Sequence, residues 1–164
     1  MVKYMYNIMF VCYGNICRSP MAEMIFKDLV YKNNKKFLFN CVSRATSMEE
    51  YGNDIYPKAK EVLEKNNITI ERHVANTVKK DDYEKYDYII CMEQSNYYDL
   101  VNIFNGDRDD KIKLLMSFTG NEVDIEDPWY TDNFDKVYGM IKDGCEALFK
   151  YLVDIYENKV NNEN

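Results

Sequence analysis

The most constraining stretch of this chain is Cys12-Tyr-Gly-Asn-Ile-Cys-Arg-Ser-Pro20, which follows a short apolar run. The run, Met5 to Val11, reads as a buried strand. Ser19-Pro20 reads as an N-cap followed by proline at the first helical position. Met21, Met24, Ile25 and Leu29 fall at helical spacing behind it. Between strand and helix the chain can wrap so that successive N–H groups face one centre, and Gly14 and Asn15 tolerate the positive φ that tight wrapping requires. Such a nest, feeding a helix N-terminus, binds a tetrahedral oxyanion. Arg18 adds a planar fork that holds two oxygens at once. Cys12 falls at the base, where the helix N-terminus, the amides and Arg18 favour its thiolate and Ser19 can donate to the sulfur. A thiolate beneath a bound phosphate is placed for in-line attack on phosphorus. A buried turn with packed cysteines is the competing reading. The strand before and the Ser-Pro helix start after favour the cradle. The passage is neither GxxxxGK nor GxGxxG.

The rest of the chain alternates β then α. Phe37–Val42, Tyr88–Met92 and Ile112–Met116 read as further short strands. Pro57 opens a helix with Ala59, Val62 and Leu63 on one side. Phe134–Tyr156 reads as a long helix through Val137, Ile141, Ala147 or Leu148, and Leu152. Strands separated by helices imply an α/β fold, a parallel sheet flanked by helices on both faces, with its site beyond the carboxyl ends of the strands. The reading is a single domain over residues 1–157 with a polar, fraying tail at 158–164.

Charge and cysteine usage narrow the function. Asp plus Glu is 28 and Lys plus Arg is 21, a formal charge of −7 that argues against nucleic acid as a partner. Any anion site must therefore be local and strong. The five cysteines are odd in number. Met1–Tyr6 carries Lys3 but no apolar signal segment, and Ile8–Tyr13 is too short to cross a bilayer. The expectation is a cytoplasmic protein with free thiols and no membrane partner. His73 is the only histidine and no CxxC pair exists, so a zinc site of the usual Cys/His type is not expected. The reading calls for no cofactor and no metal. Cys41, Cys91 and Cys145 fall in expected strands or the last helix and read as core.

Val11 to Glu23 resembles the signature of the low-molecular-weight protein tyrosine phosphatases. The likeness continues through Ser43-Arg44-Ala45-Thr46, His73, Asp87 to Asn96, and Glu126-Asp127-Pro128-Trp129-Tyr130. It implies a four-stranded parallel sheet of Rossmann-like order and hydrolysis of phosphotyrosine and small aryl phosphates without a metal. It implies Cys12 as nucleophile and Arg18 and the residues Tyr13, Gly14, Asn15, Ile16 and Cys17 as phosphate holders. Asp127 is implied as general acid and base, with Asp124 and Glu126 as fallbacks. Pro128 biases Asp127 to an extended conformation. In the larger cysteine phosphatases the acid precedes the nucleophile, whereas here it follows. Ser19, Asn15, Ser43 and His73 are implied as support for the cradle.

Tyr13, Glu49, Tyr51, Trp129 and Tyr130 are read as the substrate rim. Tyr13 departs from the smaller or aliphatic residue usual in the family, and either stacks on the substrate ring or narrows the entrance. Tyr51 stands where the family tends to place its aromatic nearer Glu49. Tyr130 resembles a position phosphorylated in some members, and Cys17 one that pairs reversibly with the nucleophile. The implied partners are phosphotyrosine proteins or peptides, with phosphate or other oxyanions as inhibitors. An arsenate reductase would need a cysteine partner for Cys91, and a phosphoarginine phosphatase favours Thr where Ile16 stands. A phosphotyrosine-binding module would not need Cys12, Arg18 and Asp127 together.

Overall fold

The computed structural model describes residues 5–163. Residues 1–4, within the stretch read for a signal segment, and Asn164 of the tail lie outside the described residues. The strands are β1 (Tyr6–Cys12), β2 (Phe39–Ala45), β3 (Tyr88–Cys91) and β4 (Ile112–Leu114). They form one parallel sheet in the order β2-β1-β3-β4. The helices are α1 (Arg18–Lys32), α2 (Pro57–Lys65), α3 (Asp82–Lys85), α4 (Gln94–Phe104), α5 (Pro128–Thr131) and α6 (Phe134–Glu163).

The period-two alternation of β1 creates the two faces. Ile8, Phe10 and Cys12 join the larger core beneath α1, α2 and α6, with Phe26, Ile25, Leu148 and Leu152. Met9 and Val11 join the smaller core with Ile89, Leu100, Ile112 and Leu114, beneath α4. Both faces of β1 are covered, one by each core, so the apolar run needs no polar alternation.

The register sets the site. Cys12 pairs with Ala45, and Val11 with Cys91, so the carboxyl ends of three strands open at one edge. The chain leaves β1 for β2 on one side and reaches β3 on the other, the switch point at which parallel sheets form clefts. Among the described residues no helix is long and apolar enough to cross a membrane.

Several boundaries differ from the expectations, β4 among them: it ends at Leu114, and Leu115 and Met116 open a 3-10 turn. Helix α1 begins at Arg18 with Cys17 at the cap, so Pro20 lies inside the first turn. Ser19 is not the N-cap, because its hydroxyl is turned to the Cys12 sulfur instead. Strand β2 runs three residues further than Val42, to Ala45, held there by backbone bonds to Asn76 and Val78. Helix α6 continues beyond Tyr156 to Glu163, so the stretch read as a fraying tail is helical, though exposed.

Helix α6 approaches the 3-10 turn Leu115–Thr119 closely at Gly144. A Cβ there would lie 2.5 Å from Cγ of the fully buried Leu115. Alanine would improve helix propensity by about 1 kcal/mol, but overpacking of this kind costs about 1–3 kcal/mol. Gly144→Ala is therefore expected to lower unfolding free energy by up to about 2 kcal/mol in urea titration. An equal or higher midpoint would show that Leu115 repacks freely.

Candidate active site

The loop after β1 is tied down by its carbonyls. Those of Cys12, Tyr13, Ile16 and Cys17 accept from the N–H groups of Thr46, Ser47, Tyr56 and Met21. The carbonyl of Asn15 meets His73 Nε2 at 2.7 Å. With its carbonyls engaged outward, the loop is free to present its N–H groups to the concave side. The N–H groups of Asn15 and Ser19 both lie 3.3 Å from Cys12 Sγ, and Ser19 Oγ lies 3.0 Å from it. Asn15 takes the positive φ, +61°, whereas Gly14 does not need one. A Cβ on Gly14 would instead touch Glu50 Cγ at 3.4 Å.

Beneath this loop runs a chain of polar side chains. Asn15 Nδ2 donates to Ser19 Oγ at 2.8 Å and to Ser43 Oγ at 3.0 Å, and its Oδ1 accepts from Asn76 N–H. Ser43 in turn donates to Glu23 Oε1 at 2.7 Å, and Lys27 closes the chain by pairing with Glu23 and Glu71. The expected supporting residues Asn15, Ser19, Ser43 and His73 are thus assembled together. Glu23 joins them unanticipated. Its signal was a carboxylate one turn beyond Ser19, set within the apolar run Met21 to Phe26.

Arg18 is only 2% exposed. Its Nη1 donates to Glu93 and, at 3.0 Å, to the carbonyl of Ile125, while Nη2 lies 3.4 Å from Asp127 Oδ2. Burial alone would weaken the cation, but the charges of Cys12, Glu93 and Asp127 outweigh it and raise the pKa. Glu93 was missed by sequence reasoning. Its signal was a carboxylate at the carboxyl end of β3, where parallel sheets build sites. Burial pushes the Glu93 carboxyl up, but hydrogen bonds from Ser95 and Arg18 and the Arg18 charge bring it below its ordinary value.

Asp127 is extended, as a residue before proline should be, and its Oδ1 accepts the N–H of Trp129 at 3.0 Å to cap α5. The two fallback carboxylates are engaged elsewhere. Asp124 accepts the N–H of Gln94, and Glu126 is held at about 2 by Lys136, Thr131 and Asn133. Neither lines the pocket.

That pocket, about 120 Å³, is lined by Cys12, Tyr13, Gly14, Ile16, Cys17, Arg18, Asp127, Trp129 and Tyr130 together with Glu49 and Glu50. Cys12, though 3% exposed, therefore opens to the pocket that Arg18 lines. Asn15 stands behind the wall and is fully buried. Tyr13 reaches across the mouth, its hydroxyl donating to Glu49 Oε1 at 2.8 Å. Tyr51 is exposed and lies outside the pocket, because the turn at residues 48–52 carries it away; Glu50 occupies the rim instead.

All five cysteines are free thiols. Burial pushes Cys91 up to about 12 and also raises Cys17, Cys41 and Cys145. A thiol so raised is a poor redox nucleophile, which removes the basis for an arsenate reductase built on Cys91. Among the described residues no three His, Cys, Asp or Glu side chains are grouped to hold a metal ion.

The Arg18 clamp has a measurable signature. Because the folded pKa of Glu93 is depressed, its contribution is fully present above its ordinary value of 4.5 and is lost as pH falls through the lower folded value. Glu93→Gln is expected to cost about 1.5–3 kcal/mol of unfolding free energy at pH 7, since a bond to a charged partner is weakened. The gap to wild type should narrow as pH falls below 4.5. A gap independent of pH, measured by denaturant titration across that range, would contradict the clamp.

The family model of the low molecular weight phosphotyrosine protein phosphatases matches residues 7–160. A low molecular weight protein-tyrosine-phosphatase, YfkJ of Bacillus subtilis, is 36% identical over 146 residues, spanning 88% of this chain and 94% of its own. Its crystal structure superposes with a TM-score of 0.88 over 96% of this chain and 98% of that one. The low molecular weight phosphotyrosine protein phosphatase of Gallus gallus is 38% identical over 149 residues, covering 88% of this chain and 94% of its own. Wzb of Vibrio vulnificus, solved in complex with benzylphosphonate, is 26% identical with a TM-score of 0.78, over 90% of this chain and 99% of that one. Match length, shared architecture and site geometry agree, and the chain belongs to the low molecular weight phosphotyrosine protein phosphatase family.

Proposed function

We propose that this chain hydrolyses phosphotyrosine and small aryl phosphates in two steps, with Cys12 as nucleophile and Asp127 as acid and base. Membership of the family makes it a protein tyrosine phosphatase; the assignment of steps to residues is our reading of the geometry. Its main support is the convergence of Asn15 N–H, Ser19 N–H and Ser19 Oγ on the Cys12 sulfur, in a pocket walled by Arg18 and Asp127. Donors that close on a sulfur stabilise it as an anion.

In the first step the Cys12 sulfur forms a bond to phosphorus while the bond to the phenolic oxygen breaks. Asp127 gives that oxygen a proton, so phenol leaves instead of phenolate. In the second step Asp127 takes a proton from water, whose oxygen attacks phosphorus and releases Cys12 and inorganic phosphate. Arg18 and the loop amides hold the equatorial oxygens through both transition states. Glu93 and the carbonyl of Ile125 aim the guanidinium, which leaves its second nitrogen beside Asp127.

The aromatic lining of the mouth favours an aryl substrate. Tyr13, Trp129 and Tyr130 line the pocket and leave ring surface exposed, which an aryl leaving group can pack against and a serine side chain cannot. The benzylphosphonate bound by the Vibrio vulnificus relative is a ligand of this shape. Ile16 gives the cradle an aliphatic wall.

Hydrolysis of p-nitrophenyl phosphate without added metal tests the reading. Cys12→Ser is expected to abolish turnover. Asp127→Ala is expected to lower kcat by about 10²–10⁴-fold for phosphotyrosine, and by less for the better leaving group p-nitrophenolate. Full activity in either variant would reject the role assigned to that residue.

A further inference from the structure

The catalytic pocket does not end at Trp129. A groove of about 680 Å³ continues from it past Asp54–Pro57 to α2, sharing Ile16, Glu50 and Trp129 with the pocket. Its floor is apolar, built from Ile16, Ile55 and Tyr56, with the Trp129 ring edge-on to Tyr56 at 5.0 Å. Its rim is acidic. Asp54 pairs with Lys60, the one cation in the lining, while Glu50, Glu61 and Glu64 face the groove with no ion pair among the described residues. Lys58 and Lys65 flank Glu61 on α2, but they are paired with Asp132 and Asp135, so the cluster keeps a net negative charge. Glu61 and Glu64 are three residues apart in α2 and so share a helix face.

An apolar, aromatic floor under unneutralised carboxylates matches one kind of side chain closely. Lysine and arginine lay an aliphatic stem on apolar surface and extend a cation beyond it, and the cation also gains from an aromatic face. An acidic segment would meet both these carboxylates and the net charge of −7. The groove begins where a peptide leaves the cradle, so its occupant would be the chain next to the phosphorylated residue.

We propose that this groove docks a lysine- or arginine-bearing segment beside the phosphotyrosine, and that Glu61 and Glu64, with Glu50 at the junction, select basic phosphopeptides. The proposal rests on the phosphatase reading above and adds the class of substrate to it.

The test compares two phosphotyrosine peptides of equal length, one flanked by lysines and one by glutamates, alongside p-nitrophenyl phosphate. The basic peptide is expected to show kcat/KM higher by about three- to tenfold, carried by KM and shrinking at high salt. In E61Q/E64Q the ratio should fall towards one, and in E61K/E64K it should reverse. These positions are exposed, so folding is not at risk. Equal kcat/KM for the two peptides, or a preference that survives in E61Q/E64Q, would overturn the proposal while hydrolysis of p-nitrophenyl phosphate upholds the phosphatase reading. Failure to hydrolyse any of the three would overturn that reading, and the groove's role with it.

Discussion

A guanidinium almost wholly removed from water has to be surrounded by acceptors, and the site is shaped around that requirement. Arg18 begins α1, Glu93 follows β3, and Ile125 and Asp127 lie on the long connection that precedes α6. One side chain thus joins three segments that are far apart in sequence and adjacent only because of the strand order. The same three acceptors decide where the guanidinium points. The charge that would hold a phosphate is in place before any substrate arrives, so little reorganisation is left for the reaction itself.

The second constraint runs beneath the loop. The Asn15 side chain touches Ser19, Ser43 and the backbone of Asn76, and Ser43 passes the contact to Glu23. Asn15 is completely buried, so each of these bonds is made in a low-dielectric setting where an unmade one would be costly. Its positive φ turns the loop over the sulfur, and its side chain keeps that turn from relaxing. Sheet register, loop conformation and the placement of Cys12 are in this way one structural fact. Outside this rigid centre the mouth is built from exposed side chains of Tyr13, the 48–52 turn and α5, where recognition of different substrates can change without disturbing the cradle.

Much of this was legible in the amino-acid order, for physical reasons. Buried parallel strands are continuous apolar runs, so all four strands announced themselves, though β2 and β4 ended elsewhere than their apolar runs did. The cradle was legible because Cys12, Asn15, Arg18 and the following helix lie within one local stretch. Ser19 was misread as a cap because a serine before proline normally serves the helix, and here a non-local demand from the sulfur takes precedence. Helix α4 escaped notice because its start is a reciprocal Glu93–Asn96 pair and not the common Ser/Thr pattern. Glu93, Glu23 and Glu50 were hidden for a shared reason. Each acts through tertiary contact, and nothing in its immediate neighbours distinguishes it from an ordinary surface carboxylate.

Every role proposed for the site depends on the sulfur of Cys12 taking the phosphoryl group. Asp127→Ala should still be phosphorylated by p-nitrophenyl phosphate, whose leaving group needs little help, but should hydrolyse the intermediate slowly for want of a base. Rapid acid quench of that variant followed by peptide mass spectrometry would then locate the group. Phosphate is expected on the peptide that contains Cys12, and on the sulfur itself. Phosphate found on another side chain, or turnover continuing with the Cys12 peptide unmodified throughout, would contradict it.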